Sequence, residues 1–568
     1  MRHYENSVAF LGTWGRFQLM VFFLLCSTNL PNGTGSFSLV FVTDTPRHRC
    51  RIPETNLSQE WQQAAVPLEV VDGELLPSRC RRYRLDLLRK FSSEGLLPLR
   101  DVNLSTVEQE DCFDGWVYST EVYESTVVSQ FDLVCDQHWK QPLTATIFFL
   151  GVLVGSFFSG LLSDRFGRKP VLFATIIIQA TFTLLQIVAP SWQIFCFFLF
   201  CNGLGNISMY MSCYVLGTEI LTGSARVVYT STGVCLGFAL GYMTLPLFAY
   251  YLRSWKTLLL AIGLPGLFFV PLWWILPESP MWLLSQGRVA EAEVIVKKAA
   301  HMNRVAVPEK IFGDSNLNVN DERPVEHYTV LDLLRKRGTA LTTVLLCWDW
   351  FTLTVCYFGL SLNTSQLHSD PYISCFLSAV VEVPAYFSCS LAIRYAPRRL
   401  AVGAVFLTVG LALFFIQLVP QSMLGLAVAL EMLGKFSTTC GSSLLYAYTA
   451  ELYPTGLRNT GSGVCLTVSR TGSCIAPFII RLSKNFLGQG FEDPNVEFDF
   501  VYYNICPHVD IYFKYLPYIT MGTLAICSVL TTLFLPESFR RPLPETLQQI
   551  PKRKWWAFTV VIECLHIY

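Results

Sequence analysis

An arginine, which cannot shed its proton, stands in one of the most apolar stretches of this chain: Arg470, within LTVSRTGSC at 466–474. A guanidinium in hydrocarbon costs about 2.5–3.5 kcal/mol even on lenient insertion scales, so something must compensate it. Leu466 and Thr467 lie one turn before it and Ser473 and Cys474 one turn after, a small, partly polar face that suits a water-filled cavity. There a guanidinium can grip a carboxylate through two parallel hydrogen bonds; the plainer role is an ion pair between helices. Glu382, in VVEVPAY, is the natural counterpart. It can attract a quaternary ammonium, ligate sodium, or pair with Arg470 or Lys435. Lys435, Ser442 and Tyr446 share a helix face, as do Trp350, Thr354 and Tyr357, while Tyr210 sits in another apolar run. Ring faces attract ammonium groups, although aromatic stripes equally serve packing. Gln179, Thr183 and Gln186 line a further face, and Asn32 follows Pro31 where PNG interrupts the first apolar stretch. Such neutral polar groups orient a ligand or bond across helices.

These side chains need helices to position them. Of 568 residues, 52% are hydrophobic and 15% charged, against about 25% charged in soluble domains. Repeated apolar runs reach the roughly 20 residues that cross a bilayer. The expected spans are 18–41, 142–162, 171–190, 194–217, 228–250, 257–276, 341–361, 372–394, 400–420, 423–449, 459–480 and 515–535. The chain thus divides into an N-terminus (1–17), helix 1 (18–41), a polar loop (42–141), helices 2–6 (142–276), a second polar loop (281–340), helices 7–11 (341–480), an extended loop (481–514), helix 12 (515–535) and a tail (536–568). The first loop holds Cys50, Cys80, Cys112 and Cys135 with the sequons at Asn56 and Asn103, which points to an extracellular, glycosylated loop with two disulfides. Three pairings are open. Basic residues cluster in 281–340 and at Arg165, Arg168 and Lys169, which puts both termini in the cytoplasm. Zero net charge gives no reason to expect a nucleic acid. The eight histidines are scattered and form no catalytic or metal-ligating pattern, so no enzyme and no bound cofactor is expected.

The chain repeats itself. SDRFGRK (163–169) recurs as IRYAPRR (393–399), GTEILTGSAR around Glu219 and Arg226 as TAELYPTGLR around Glu451 and Arg458, and LPES around Glu278 as LPES around Glu537. The offsets are 230, 232 and 259 residues, so the second copy carries an insertion before its last span. Two six-span halves in one orientation form the parallel repeat of major facilitator transporters. Asp164, Arg165, Gly167, Arg168, Glu219, Arg226, Glu278, Arg398, Glu451, Arg458 and Glu537 fall at one set of helix ends. Ion pairs there can link bundles in one state and break in another.

The motif Gly160-x-Leu162-x-Asp164-Arg165-x-Gly167-Arg168-Lys169 resembles the signature loop of major facilitator proteins. ILPESPMWLL, YTAELYPTGLRN and the loop after the first span narrow the resemblance to the solute carrier 22 family. MRHYENSVAFLGTWGRFQ, LPNG, HRCRIPETNLSQEW and LGTEIL are similar to its organic cation/carnitine branch. That resemblance implies an all-α membrane protein of major facilitator fold, with twelve transmembrane helices in two parallel repeats. It implies a monomeric plasma-membrane carrier of carnitine, a related zwitterion or an organic cation, typically driven by sodium. It also implies arginine at 470 where cation-selective relatives carry an acid, and it makes the helix-end charges a gating network. Departures are Asp349, where the branch has an apolar residue, Met281 in place of an arginine, and Met209 in place of an asparagine. Asp349 is expected at the membrane edge. Rival readings are a sodium-independent polyspecific cation uniporter and a non-transporting receptor of the same fold. The uniporter gains if Asp349 faces the cavity and Glu382 neutralises Arg470.

Overall fold

The computed structural model describes residues 2–53, 57–71, 74–98, 100–308, 311–312, 333, 335, 337–363, 370–420, 423–453, 457–489 and 515–539. Asn56, the 313–332 stretch, most of the 481–514 loop and the tail beyond 539 lie outside them.

Twelve helical segments make up the membrane part. The first, α1, is broken into Arg16–Thr28, Leu30–Phe37 and Leu39–Val42. Then follow α2 (Lys140–Phe166), α3 (Arg168–Ile187), α4 (Trp192–Ile220), α5 (Gly223–Tyr251) and α6 (Trp255–Trp274). The second set is α7 (Arg337–Leu362), α8 (Pro371–Tyr395), α9 (Arg398–Ile416), α10 (Leu424–Leu452), α11 (Arg458–Gln489) and α12 (Leu516–Leu533). Ten of these are long and apolar enough to cross a bilayer. The two exceptions have physical causes: α1 is interrupted, and α10 carries Glu431, Lys435 and Glu451. Both lie at the centre of the site described below.

Small residues set the closest helix contacts. A Cβ at Gly33 would meet the Phe238 carbonyl oxygen at 2.0 Å, and one at Gly241 would meet that of Leu30 at 2.1 Å. Only glycine lets α1 and α5 approach so far. The approach stacks Phe37 on Tyr242, with ring centroids 4.1 Å apart.

The sequence repeat folds into a structural one. Arg168 hydrogen-bonds both carboxylate oxygens of Glu219, and its Nη1 donates to the Ser163 carbonyl at 2.8 Å. Arg398 does the same with Glu451 and the Ile393 carbonyl. Glu278 accepts from the backbone N–H groups of Arg168 and Lys169, and Glu537 from those of Arg398 and Arg399. Each glutamate therefore sits at the N-terminus of a helix, where the dipole favours an anion. Equivalent residues 230, 232 and 259 positions apart thus make the same contacts twice.

Between α1 and α2 a small domain is built from three antiparallel ribbons, His48–Cys50 with Trp116–Tyr118, Leu68–Val71 with Glu74–Pro77, and Arg81–Tyr83 with Gln109–Asp111. Its disulfides are Cys50–Cys112 and Cys80–Cys135. Trp61, Ala65, Tyr83, Leu85, Leu88 and Val107 form its core, and Asn103 is exposed. His48 lies beside Cys80 and Cys135, but the disulfide removes both sulfurs as metal ligands.

Burial holds the His48 proton affinity below that of an ordinary histidine; the Pro46 carbonyl opposes this and the Arg79 charge adds to it. As pH falls through about 6.5, the unfolded loop takes up the proton first, so this contribution to stability is lost on acidification. Limited proteolysis of the loop should therefore speed up between about pH 7.5 and pH 5.5, and His48→Asn should flatten the dependence. Cleavage that responds identically to pH in both proteins contradicts this.

Candidate functional site

The charged centre of the molecule is an ion pair deep in the membrane region. Glu382 of α8 and Lys435 of α10 are each no more than 1% exposed, and Lys435 Nζ lies 2.9 Å from Glu382 Oε1. An ion pair in so dry a place survives only if its other bonding capacity is met. Here it is met. The Tyr357 hydroxyl donates to Glu382 Oε1 at 2.7 Å, the Tyr386 hydroxyl to Oε2 at 3.3 Å, and Lys435 also donates to Ser361 Oγ. Tyr386 follows Glu382 by one helical turn, so a single face of α8 supplies the acid and one of its donors.

Three rings surround the ammonium. Lys435 Nζ is 3.6 Å from the ring centroid of Tyr357, 5.4 Å from that of Phe37 and 5.7 Å from that of Tyr242. A desolvated cation–π contact contributes about 2 kcal/mol. Phe37 belongs to α1 and Tyr242 to α5, in the first half, whereas Tyr357 belongs to α7 in the second. The cage is therefore built by both halves, and it holds an ammonium.

Arg470, on α11, is partly buried, and among the described residues its guanidinium makes no ion pair or hydrogen bond. Its electrostatic neighbours are Tyr210 of α4, Tyr446 of α10 and Cys474. Tyr446 is 42% exposed although Trp350 packs edge-on against it at 4.6 Å. Because Tyr446 also neighbours Tyr210 and Tyr214 of the first half, the surface it exposes faces the space between the halves. Trp350 itself is buried and donates to Thr449 Oγ1. Arg470 is thus a positive charge beside aromatic side chains of α4 and α10.

Other expected residues are placed as follows. Asn32 and Gln179 are buried; Asn32 lies on broken α1, where Asn206 reaches its carbonyl and Ser36. The side-chain oxygens of Asn29 and Asn32 are buried with no partner among the described residues. Glu219 pairs with Arg168, not with Arg226, which reaches Glu5 of the Arg2–Val8 helix. Asp164 supports Arg168 at 2.7 Å, Gly167 adopts φ 102° at the α2–α3 corner, and Arg165 lies by the Phe166 ring. These contacts sit within one half rather than between halves. Among the described residues, Arg458 Nε and Nη2 have no hydrogen-bond partner. Asp349 corrects an expectation: it is 0% exposed at the middle of α7, not at the membrane edge, with the Thr531 and Thr532 hydroxyls on its carboxylate at 2.5 and 3.4 Å.

The halves meet at the end that bears the disulfide domain. Phe41 stacks on Tyr372, whose hydroxyl donates to the Val122 carbonyl; Tyr242 donates to Ser378, Phe149 packs on Phe358, and Thr146 donates to the Cys474 carbonyl. Sequence reading missed Phe37, Tyr242 and Ser361, whose roles come from helix approach. Tyr386 was signalled only by its one-turn spacing from Glu382.

A family model described as sugar (and other) transporter matches residues 107–549. Organic cation/carnitine transporter 2 of Rattus norvegicus is 47% identical over 556 residues, 98% of this chain and 95% of the relative. Solute carrier family 22 member 4 of Mus musculus is 47% identical over 553 residues, 97% and 95%. In fold, the chain is similar to the partially occluded inward open conformation of the xylose transporter XylE from E. coli, with TM-score 0.56, 13% identity, and coverage of 93% of this chain and 100% of that one.

The geometry ranks the two tyrosines that serve Glu382. Tyr357→Phe removes a short hydrogen bond to a charged group, about 1.5–3 kcal/mol, while the longer Tyr386 contact contributes less. Thermal unfolding of the purified chain should show a larger fall in Tm for Tyr357→Phe than for Tyr386→Phe. Equal falls contradict the ranking.

Proposed function

The chain belongs to the organic cation/carnitine branch of the solute carrier 22 family of major facilitator transporters, and we propose that it imports carnitine or a similar zwitterion across the plasma membrane. It is a multi-pass membrane transporter and not an enzyme. The reading rests most on Arg470, a guanidinium beside Tyr210 and Tyr446 that Glu382, by pairing with Lys435, leaves without a counter-charge among the described residues. With Glu382 and Lys435 paired to each other, Arg470 keeps a positive charge that a substrate carboxylate complements. The substrate's ammonium end then meets the rings of Phe37, Tyr242 and Tyr357 and the carboxylate of Glu382. Tyr210 and Tyr446 line the path, with Trp350 packed behind Tyr446, while Gln179 and Asn32 orient the substrate from the first half.

The cation-uniporter reading loses support on both of its conditions. Glu382 does not neutralise Arg470, and Asp349 is engaged by α12 hydroxyls. Sodium symport is our proposal for the driving force. Unpartnered buried oxygens on Asn29 and Asn32, at the break in α1, offer the hard ligands a sodium ion needs. Alternating access follows from rocking of the halves about contacts such as those at Tyr372, with the Arg168 and Arg398 clusters keeping each half rigid. In this reading the disulfide domain is extracellular and glycosylated, and both termini are cytoplasmic.

Uptake of labelled carnitine into cells that display this chain tests the proposal. Uptake should collapse when external sodium is replaced by N-methylglucamine. Equal uptake in both media removes the sodium coupling, and no uptake by surface-displayed protein removes the zwitterion assignment.

A further inference from the structure

A second glutamate stands one turn from the ion pair and does nothing visible. Glu431 of α10 is 0% exposed, and among the described residues neither of its carboxyl oxygens has a hydrogen-bond partner. Tyr518 of α12 is within its electrostatic reach, but its hydroxyl, which accepts from Asn363 at 2.6 Å, makes no hydrogen bond to the carboxylate. An acid buried among helices without a partner is costly enough to need an explanation. Its position supplies one. Glu431 precedes Lys435 by four residues, the spacing and order at which glutamate and lysine side chains meet on a helix, with Cβ atoms about 5–6 Å apart.

Lys435, meanwhile, occupies the place the substrate needs. Its ammonium lies against the Phe37, Tyr242 and Tyr357 rings and on Glu382. Two cations cannot share one carboxylate in a dry site without strong repulsion. When the cationic head of a substrate takes these contacts, Lys435 must find another anion within the reach of its own side chain. On its own helix face, that anion is Glu431.

We infer that Lys435 alternates between two carboxylates, resting on Glu382 when the site is empty and turning to Glu431 when the ammonium head of a substrate enters the aromatic cage. Glu431 is then a positioning residue: it never touches the substrate but receives the lysine that the substrate displaces. The inference rests on the placement of the cationic end given under the proposed function.

The test needs no substrate in its first arm. Thermal unfolding is compared for the purified full chain, Glu382→Gln, Glu431→Gln, the double variant, and the double variant with Lys435→Met. While one glutamate remains, Lys435 keeps a partner, so each single change is tolerated. The double variant strands a buried ammonium, and its Tm should fall at least about 5 °C beyond the sum of the singles. Adding Lys435→Met should recover most of that loss. Additive losses, or no recovery, overturn the inference; where the double variant yields no folded protein, recovery by Lys435→Met decides. In cells, Glu431→Gln should raise the KM for carnitine about tenfold, with transport capacity per surface copy within about twofold. An unchanged KM overturns the inference. A wild-type chain that moved no carnitine would instead remove the transport reading and leave the unfolding result standing.

Discussion

A charge placed at membrane depth must be compensated, and the inner architecture of this protein follows from how it compensates each one. Lys435 and Glu382 satisfy each other inside a shell of hydroxyls and rings. Asp349 is held by threonine hydroxyls of α12. Arg168 and Arg398 are each locked to a glutamate at helix ends. Arg470 alone of these cations is left with aromatic neighbours and no counter-charge among the described residues. In the proposed reading, the unmatched arginine marks where a substrate completes the electrostatics.

The same constraint explains why the ion pair stands where helices from both halves converge. A buried pair contributes little net stability, because desolvation offsets most of the attraction. Its value is positional. Lys435 needs Tyr357 from α7 and Phe37 and Tyr242 from α1 and α5, so the cage forms only when the two halves are apposed. The glycine approach that stacks Phe37 on Tyr242 thereby becomes part of the site, although no glycine touches a charge. The paired clusters at Arg168 and Arg398 have a different function. Each ties the helices of its own half, which suits bodies that move as units.

Much of this was legible in the sequence because apolar length, intramembrane charge and repetition are strong signals. The apolar runs located helices, ten of them long and apolar enough to cross a bilayer; the repeated SDRFGRK, GTEIL and LPES motifs located two matching corners, and Arg470, Glu382 and Lys435 stood out as charges with nowhere cheap to go. What the sequence left open was partner choice. Glu219 lies seven residues before Arg226 in sequence yet bonds Arg168, because the guanidinium at the start of α3 reaches across to the end of α4. Asp349 read as an edge residue because the apolar run begins shortly before it, whereas α7 starts earlier, at Arg337, and carries it to mid-helix. Phe37 and Tyr242 were invisible for another reason: an aromatic in an apolar helix carries no mark of the ring it will stack on.

In the proposed reading Arg470 holds the substrate's carboxylate while its ammonium end is held elsewhere. The direct measurement is competition against labelled carnitine uptake by unlabelled carnitine and by its methyl ester, in wild type and in Arg470→Lys. The ester keeps the quaternary ammonium and hides the carboxylate charge. Wild type should prefer carnitine over the ester at least about tenfold, and Arg470→Lys, which cannot form the two-pronged contact, should lose most of that preference. Equal inhibition by ester and acid in wild type, or a preference that survives in Arg470→Lys, contradicts that reading.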